Sequence, residues 1–191
     1  MSFFERVLLR AFGRPQGVLG RIGGKIMASK NGPCAAWVIG LLAVRDDDRV
    51  LEIGVGPGVG IQLLADKVSA GKVAGIDPST EMVEQATARN AQAVVRGLAD
   101  LRRGAVEHLP FDNGTFDKAP AINSMQVWQD PVAGLAEIRR VLKPGGRLAL
   151  GFTVYSGQQQ SGLVERLGAA GFADSKLTQT DDAFCVIANN P

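Results

Sequence analysis

From Asp46 onward, short apolar runs alternate with segments long enough to be helices, and this alternation limits the fold more than any other feature of the chain. The runs are Val50–Ile53, Lys72–Ile76, Leu101–Val106, Phe116–Ile122 and Arg147–Thr153. The helical periods between them cover Ile61–Val68, Ser79–Ala91 and Pro131–Leu142, with Ser161–Ala170 following the fifth strand and ending at Gly171. Parallel strands need a crossover of about a dozen residues, so strand-helix alternation predicts a parallel, doubly wound α/β sheet with helices on both faces. The tail, Phe172–Thr180 followed by Ala183–Ala188, predicts a closing antiparallel hairpin and brings the sheet to seven mostly parallel strands. One residue conflicts with the pattern. Pro120 lies inside the fourth run, and proline removes a ladder donor, so the strand should bend there or pair over a shorter length.

The first 45 residues have a different character. Phe3–Ala11 is amphipathic, Gly13-Arg14-Pro15 interrupts it, Gly17–Met27 resumes, and Ala35–Leu42 follows the break at Asn31-Gly32-Pro33. This predicts a helical N-terminal cap over residues 1–45, part of the same domain as the sheet at 46–191. Net charge is only +2, yet Arg6, Arg10, Arg14, Arg21, Lys25 and Lys30 crowd this segment against one acid, Glu5. Such a stretch can attract nucleic acid, anionic lipid or an acidic substrate; the simpler reading is the solvated face of a covering helix. No apolar run approaches the roughly 18 residues of a membrane helix, and no apolar stretch with a cleavage site follows Arg6 and Arg10. Cys34 and Cys185, far apart and without metal-type spacing, read as reduced thiols. Together these features predict a soluble, cytoplasmic protein.

The first strand runs straight into glycines, reading Glu52-Ile53-Gly54-Val55-Gly56-Pro57-Gly58. Open parallel sheets bind ligands outside the carboxyl ends of their strands, where strand order reverses. Glycine there accepts positive φ and lets a ligand approach the backbone, and the next helix offers its first amides. A dinucleotide fingerprint would need a third glycine at Val59 or Ile61, and neither position supplies one. Glu52 would also repel a pyrophosphate, whereas it would attract the cationic methionine end of S-adenosylmethionine. A carboxylate capping loop amides is the simpler role for Glu52, and the two are compatible. Asp77, closing the second strand before Pro78, suits two ribose hydroxyls or a helix cap. Met82 suits the adenine face or the core.

These segments, with Glu107-His108-Leu109-Pro110-Phe111-Asp112, Thr115-Phe116-Asp117 and Arg140-Val141-Leu142-Lys143-Pro144-Gly145-Gly146, resemble the class I S-adenosylmethionine-dependent methyltransferases, in their type 11 branch. The resemblance spans residues 46–155 and implies a Rossmann-like fold. Phe12–Arg21 is similar to the lid segment of some bacterial members. The resemblance implies that Gly54, Val55, Gly56 and Gly58, with Glu52, line the methionine portion of the cofactor. Asp77 would hold the ribose, Ala105, Val106 and Glu107 would face the adenine edge, and Asn123 and Ser124 would lie beneath the cofactor. Where this chain has Ala105, the family often has an aspartate that accepts the adenine amine.

Methyl transfer from a sulfonium is an in-line displacement, for which positioning and desolvation supply much of the rate. His108, the one histidine, is a candidate general base, although its place beside the adenine favours a loop or stacking role. Tyr155 could reach the acceptor; packing or surface exposure is the simpler expectation. Met125, Val127 and Trp128 follow strand four, where the family lines its substrate entrance, and Phe12, Arg14 and Trp37 could close the pocket from above; equally, the aromatics could simply pack the helical cap onto the sheet. After strand four the chain reads Asn123-Ser124-Met125-Gln126, without the motif of DNA amine methylases, and no RNA-binding appendage is present. The expected activity is therefore methyl transfer to a small-molecule acceptor, with adenosylhomocysteine as by-product and no metal. The alternative is a non-catalytic, regulatory S-adenosylmethionine-binding protein of the same fold. An oxidoreductase is disfavoured by Val59.

Overall fold

The computed structural model describes residues 32–191. Seven strands form one sheet: β1 (Arg49–Ile53), β2 (Lys72–Asp77), β3 (Ala99–Arg103), β4 (Phe116–Ile122), β5 (Leu142–Thr153), β6 (Ala173–Gln179) and β7 (Ala183–Asn189). Their order is β3-β2-β1-β4-β5-β7-β6. The first five are parallel, and β7 enters antiparallel between β5 and β6. Strand order reverses between β1 and β4, which opens a crevice at the carboxyl ends of these strands.

The helices are α1 (32–42), α2 (Val59–Ala65), α3 (Thr80–Arg89), α4 (Ala91–Val95), α5 (Pro131–Val141) and α6 (Leu163–Ala169). Side-chain alternation along the strands divides the core in two. Leu51 and Ile53 of β1 pack with Leu135 and Ile138 of α5 and with Leu163 and Leu167 of α6. Val50, on the other face, packs with Val38, Ile39 and Leu42 of α1 and with Ile61 and Leu64 of α2. The period of two therefore turns Glu52 toward the α2 side. On that face α1 comes so close to β5 that a β-carbon at Gly151 would lie 2.3 Å from a Val38 methyl carbon.

Several boundaries differ from the sequence reading for identifiable reasons. β3 spans Ala99–Arg103 and stops before Gly104, whose amide donates to the Asp77 carbonyl; Ala105–Glu107 is a turn. The helix expected over Ser79–Ala91 breaks at Asn90. The Asn90 amide group donates to the carbonyls of Gly58 (3.0 Å) and Ala86 (2.8 Å), which ends α3 and begins α4. Ser79 is the N-cap of α3, its hydroxyl accepting from the Met82 amide. β5 starts at Leu142 rather than Arg147, because Gly145 and Gly146 exchange backbone hydrogen bonds with Asn190. On the β5 side the register of β4 runs unbroken through Pro120, from Lys118 to Ile122, with one irregularity earlier, between Phe116 and Lys118. On the β1 side only Lys118 and Ala121 pair, so that ladder lapses at Ala119 and Pro120, as a missing donor leads one to expect. The expected helices Phe3–Ala11 and Gly17–Met27 lie outside the described residues.

Candidate active site

A cavity of about 500 Å³ opens at the switch point, between the ends of β1, β2 and β4. Pockets that enclose small ligands typically measure about 300–1,000 Å³. The turn after β1 forms its floor. Gly54 has φ +76°, and its amide and that of Val55 both donate to the Ile76 carbonyl, which folds the turn back over β2. Gly54 must be a glycine for packing as well: a β-carbon would lie 2.5 Å from that of Ser124. Gly56 has φ +50° and nothing within 4 Å of the position a β-carbon would take, so its bare backbone faces open space. Val55 is buried, and a methyl carbon reaches to 2.4 Å from where Gly75 would carry a side chain.

Two carboxyl groups meet below this turn. Asp77 is 7% exposed; its oxygens accept from the amides of Gly56 (3.0 Å) and Ser79 (2.9 Å), so it ties the glycine turn to the start of α3. Burial raises its pKa, against the opposing pull of those two amides. Glu52 is 3% exposed. Burial first, and then the charge of Asp77, push its pKa up to about 8, although the Ile61 amide donates to its carboxyl. Glu52 Oε2 has no hydrogen-bond partner. A buried polar atom without a partner is uncommon and costs free energy unless a ligand supplies the bond.

The remaining walls are held by long-range contacts. Ser124 donates its hydroxyl to the Ile53 carbonyl at 2.9 Å and accepts from Trp128 Nε1 at 3.3 Å, joining the ends of β1 and β4. Asn123 takes φ +48°, a conformation asparagine tolerates better than most residues, and its side-chain oxygen accepts the Thr153 amide. Glu107 accepts the amides of Gln129 and Asp130, which fastens the turn after β3 to the segment before α5. Arg140 grips the loop between them, donating to the carbonyls of Leu109 and Phe111 while paired with Glu137 at 2.7 Å.

Of the residues singled out from sequence, Glu52, Gly54, Val55 and Gly56 line the cavity from β1 and its turn, and Asp77, Pro78 and Met82 line it from β2 and α3. Ala105, Val106 and Glu107 form a third wall, and Asn123, Ser124, Val127 and Trp128 a fourth. Others do not reach it. Gly58 (φ +84°) faces away, against α3, where a β-carbon would lie 2.6 Å from Ala86 Cα. Met125 is buried in the core, and Trp37 packs half-buried against the α1–α2 cluster. His108 is exposed, Tyr155 is 89% exposed, and neither lines the cavity. Phe12 and Arg14 lie outside the described residues. Arg103, Gln129 and Ala35 line the cavity and were missed. Arg103 carried no readable signal, because the sequence drew its strand on to Val106 and only the structure ends it at Arg103; Ala35 and Gln129 carry none either. Among the described residues there is no histidine, cysteine and carboxylate cluster able to hold a metal. No described helix is long and apolar enough to cross a membrane.

A seven-stranded sheet with this strand order, a glycine turn after β1 and an acid ending β2 is the architecture of a class I S-adenosylmethionine-dependent methyltransferase, and the chain is an enzyme of that class. It belongs to the family described as the methyltransferase domain, whose model matches residues 51–150. It is 30% identical over 161 residues to the uncharacterized methyltransferase YdaC of Bacillus subtilis, covering 84% of this chain and 87% of that protein. It is 39% identical over 101 residues to the demethylmenaquinone methyltransferase of Lactiplantibacillus plantarum, covering 52% of this chain and 43% of that one. Among solved structures, a SAM-dependent methyltransferase from Aquifex aeolicus superposes with a TM-score of 0.77 at 20% identity, over 85% of this chain and 93% of that one.

Proposed function

We propose that the cavity binds S-adenosylmethionine and that the protein moves its methyl group to a small-molecule acceptor. The observation that carries this reading is the unpartnered, buried Glu52 Oε2 beside the open backbone of Gly56. An anionic pyrophosphate does not suit that carboxyl; an ammonium group supplies the donors it lacks. Bound there, the cofactor supplies an electrophilic methyl on a sulfonium.

The chain's own residues then have the following roles. Gly54, Val55 and Gly56, with Glu52, receive the amino-acid portion. Asp77, already oriented by two amides, keeps lone pairs for the ribose hydroxyls. Pro78 and Met82 pack on the adenine, and Ala105, Val106 and Glu107 border its edge. Asn123 and Ser124 support the cofactor from β4. Val127 and Trp128, which line the cavity after β4, guide the acceptor in line with the methyl group. With His108 and Tyr155 off the cavity, rate comes from alignment and exclusion of water rather than from a dedicated histidine or tyrosine base.

Thermal-shift measurements with adenosylmethionine, adenosylhomocysteine and NAD test the cofactor assignment. Stabilisation by the first two is expected, and stabilisation by NAD alone would refute it. Release of adenosylhomocysteine across a panel of small-molecule acceptors tests the transfer; binding without turnover on any of them would argue for a regulatory binder instead.

A further inference from the structure

Glu52 is an unusual residue to find facing a cation site. Its carboxyl is 3% exposed and its Oε2 has no partner. A β-carbon on Gly60 would lie 2.0 Å from Oε1, so the carboxyl lies directly against the first turn of α2. The surrounding elements compensate it with one hydrogen bond, from the Ile61 amide of α2, which burial and the charge of Asp77 outweigh. β2 contributes a second carboxylate, Asp77; α3 contributes Glu81, and the turn after β3 contributes Glu107. α1, α2 and β4 bring only Ala35, Val59, Gly60 and Ile122 to the cavity. Arg103 is the one cationic side chain lining it among the described residues, and its Nε is turned to the Pro78 carbonyl at 3.4 Å. A carboxylate in such surroundings is poorly solvated and repelled by its neighbour, so the neutral acid is the favoured form until a cation arrives.

We propose that Glu52 carries a proton before ligand binding and surrenders it to solvent when the cofactor's ammonium group docks, so that cofactor binding is coupled to proton release. This rests on the assignment of the cavity as the S-adenosylmethionine site. The balance is simple: a neutral Glu52 carboxylic acid and a free ammonium become a carboxylate–ammonium pair, and one proton leaves to the buffer. No electron moves and no covalent bond to carbon is made or broken. The burial-driven rise of the Glu52 pKa, to about 8, places this exchange in the neutral range. Affinity for ammonium-bearing ligands should then rise by up to roughly tenfold per pH unit below pH ~8 and stop rising above it, falling once the ligand's ammonium itself loses its proton. The methyl donor and its product share the ammonium, so the coupling tunes retention of both and leaves their ratio unchanged.

Isothermal titration calorimetry of the full chain with adenosylhomocysteine, in buffers of different ionisation heat at pH ~7, reads the proton directly; about one released per ligand is expected. Methylthioadenosine, which keeps the adenosine but lacks the ammonium, should bind without that release. Glu52→Gln should bind adenosylhomocysteine more weakly and without release. A heat independent of buffer, equal release with methylthioadenosine, or undiminished release from the variant would each overturn the proposal while leaving the cofactor assignment standing. If the variant does not fold, the comparison of the two ligands on the wild-type chain still decides. Failure of the wild-type chain to bind either ligand would overturn the cofactor assignment and the proposal together.

Discussion

Gly60 and Glu52 are paired by exclusion: a β-carbon on Gly60 would lie 2.0 Å from Glu52 Oε1, so the glycine exists to leave room for the carboxyl. Gly60 does not need positive φ, and the atom it would strike is the end of a side chain. Gly60→Ala should therefore fold with a small loss of stability while displacing the carboxyl. Calorimetry should show adenosylhomocysteine affinity falling on the order of tenfold, about 1.4 kcal/mol.

Gly58 makes the opposite case. Its φ is +84°, and a β-carbon would lie 2.6 Å from the backbone of Ala86, which cannot rotate aside. Gly58→Ala combines left-handed strain with a backbone clash, and urea denaturation should record a loss of about 2–4 kcal/mol.

Ala105 lines the cavity at the position where the resemblance to the methyltransferases led us to expect an aspartate accepting the adenine amine. Ala105→Asp should tighten adenosylhomocysteine binding, measured by calorimetry. Unchanged or weaker binding would place the adenine elsewhere.

Asp117 should make the fold acid-sensitive. Burial works to raise its pKa, but Lys143 at 2.8 Å and the Arg49 amide at 2.9 Å outweigh this and hold it below the usual carboxylate value. The folded form thus holds its proton less tightly than the unfolded chain. Its contribution is present above the unfolded pKa and is lost as pH falls through the folded one. With the Lys143 side chain 41% exposed, screening limits the pair to ~1 kcal/mol. Asp117→Asn should cost that much at neutral pH, and the cost should fade as pH falls below the unfolded value of 3.8 and through the lower folded one, by urea denaturation.

Glu52 acts with the other sign. Its folded pKa lies above the unfolded value, so the ligand-free fold binds the extra proton. Stability is complete below the unfolded value of 4.5 and declines as pH rises toward about 8. Melting temperature of the ligand-free chain should fall over that window, and Glu52→Gln should flatten the decline.

The strand-helix alternation, the closing hairpin and the acids at Glu52 and Asp77 were legible in the sequence. Local rules govern them: apolar period sets the element, and a glycine turn or a proline marks its end. Pro120 interrupts pairing on the β1 side and not on the β5 side, a difference that depends on the register of the neighbouring strands and so was not legible in the sequence. Tyr155 is at the surface, as the simpler expectation had it, and His108 is on an exposed loop but not against the cavity, because nearness along the chain says little about the direction of a side chain. Gly58 looked equivalent to Gly54 and Gly56, yet it faces Ala86, 28 residues away along the chain.

The sequence by itself determined the class of fold and the family, because periodicity and short motifs act over a few residues. Only the tertiary structure decided what each motif residue touches. The order β3-β2-β1-β4 brings residues 52, 77, 105 and 123 round one cavity, and burial there raises the pKa of Glu52 and leaves its Oε2 without a partner. Burial and through-space charge are properties of neighbours that the chain order does not name.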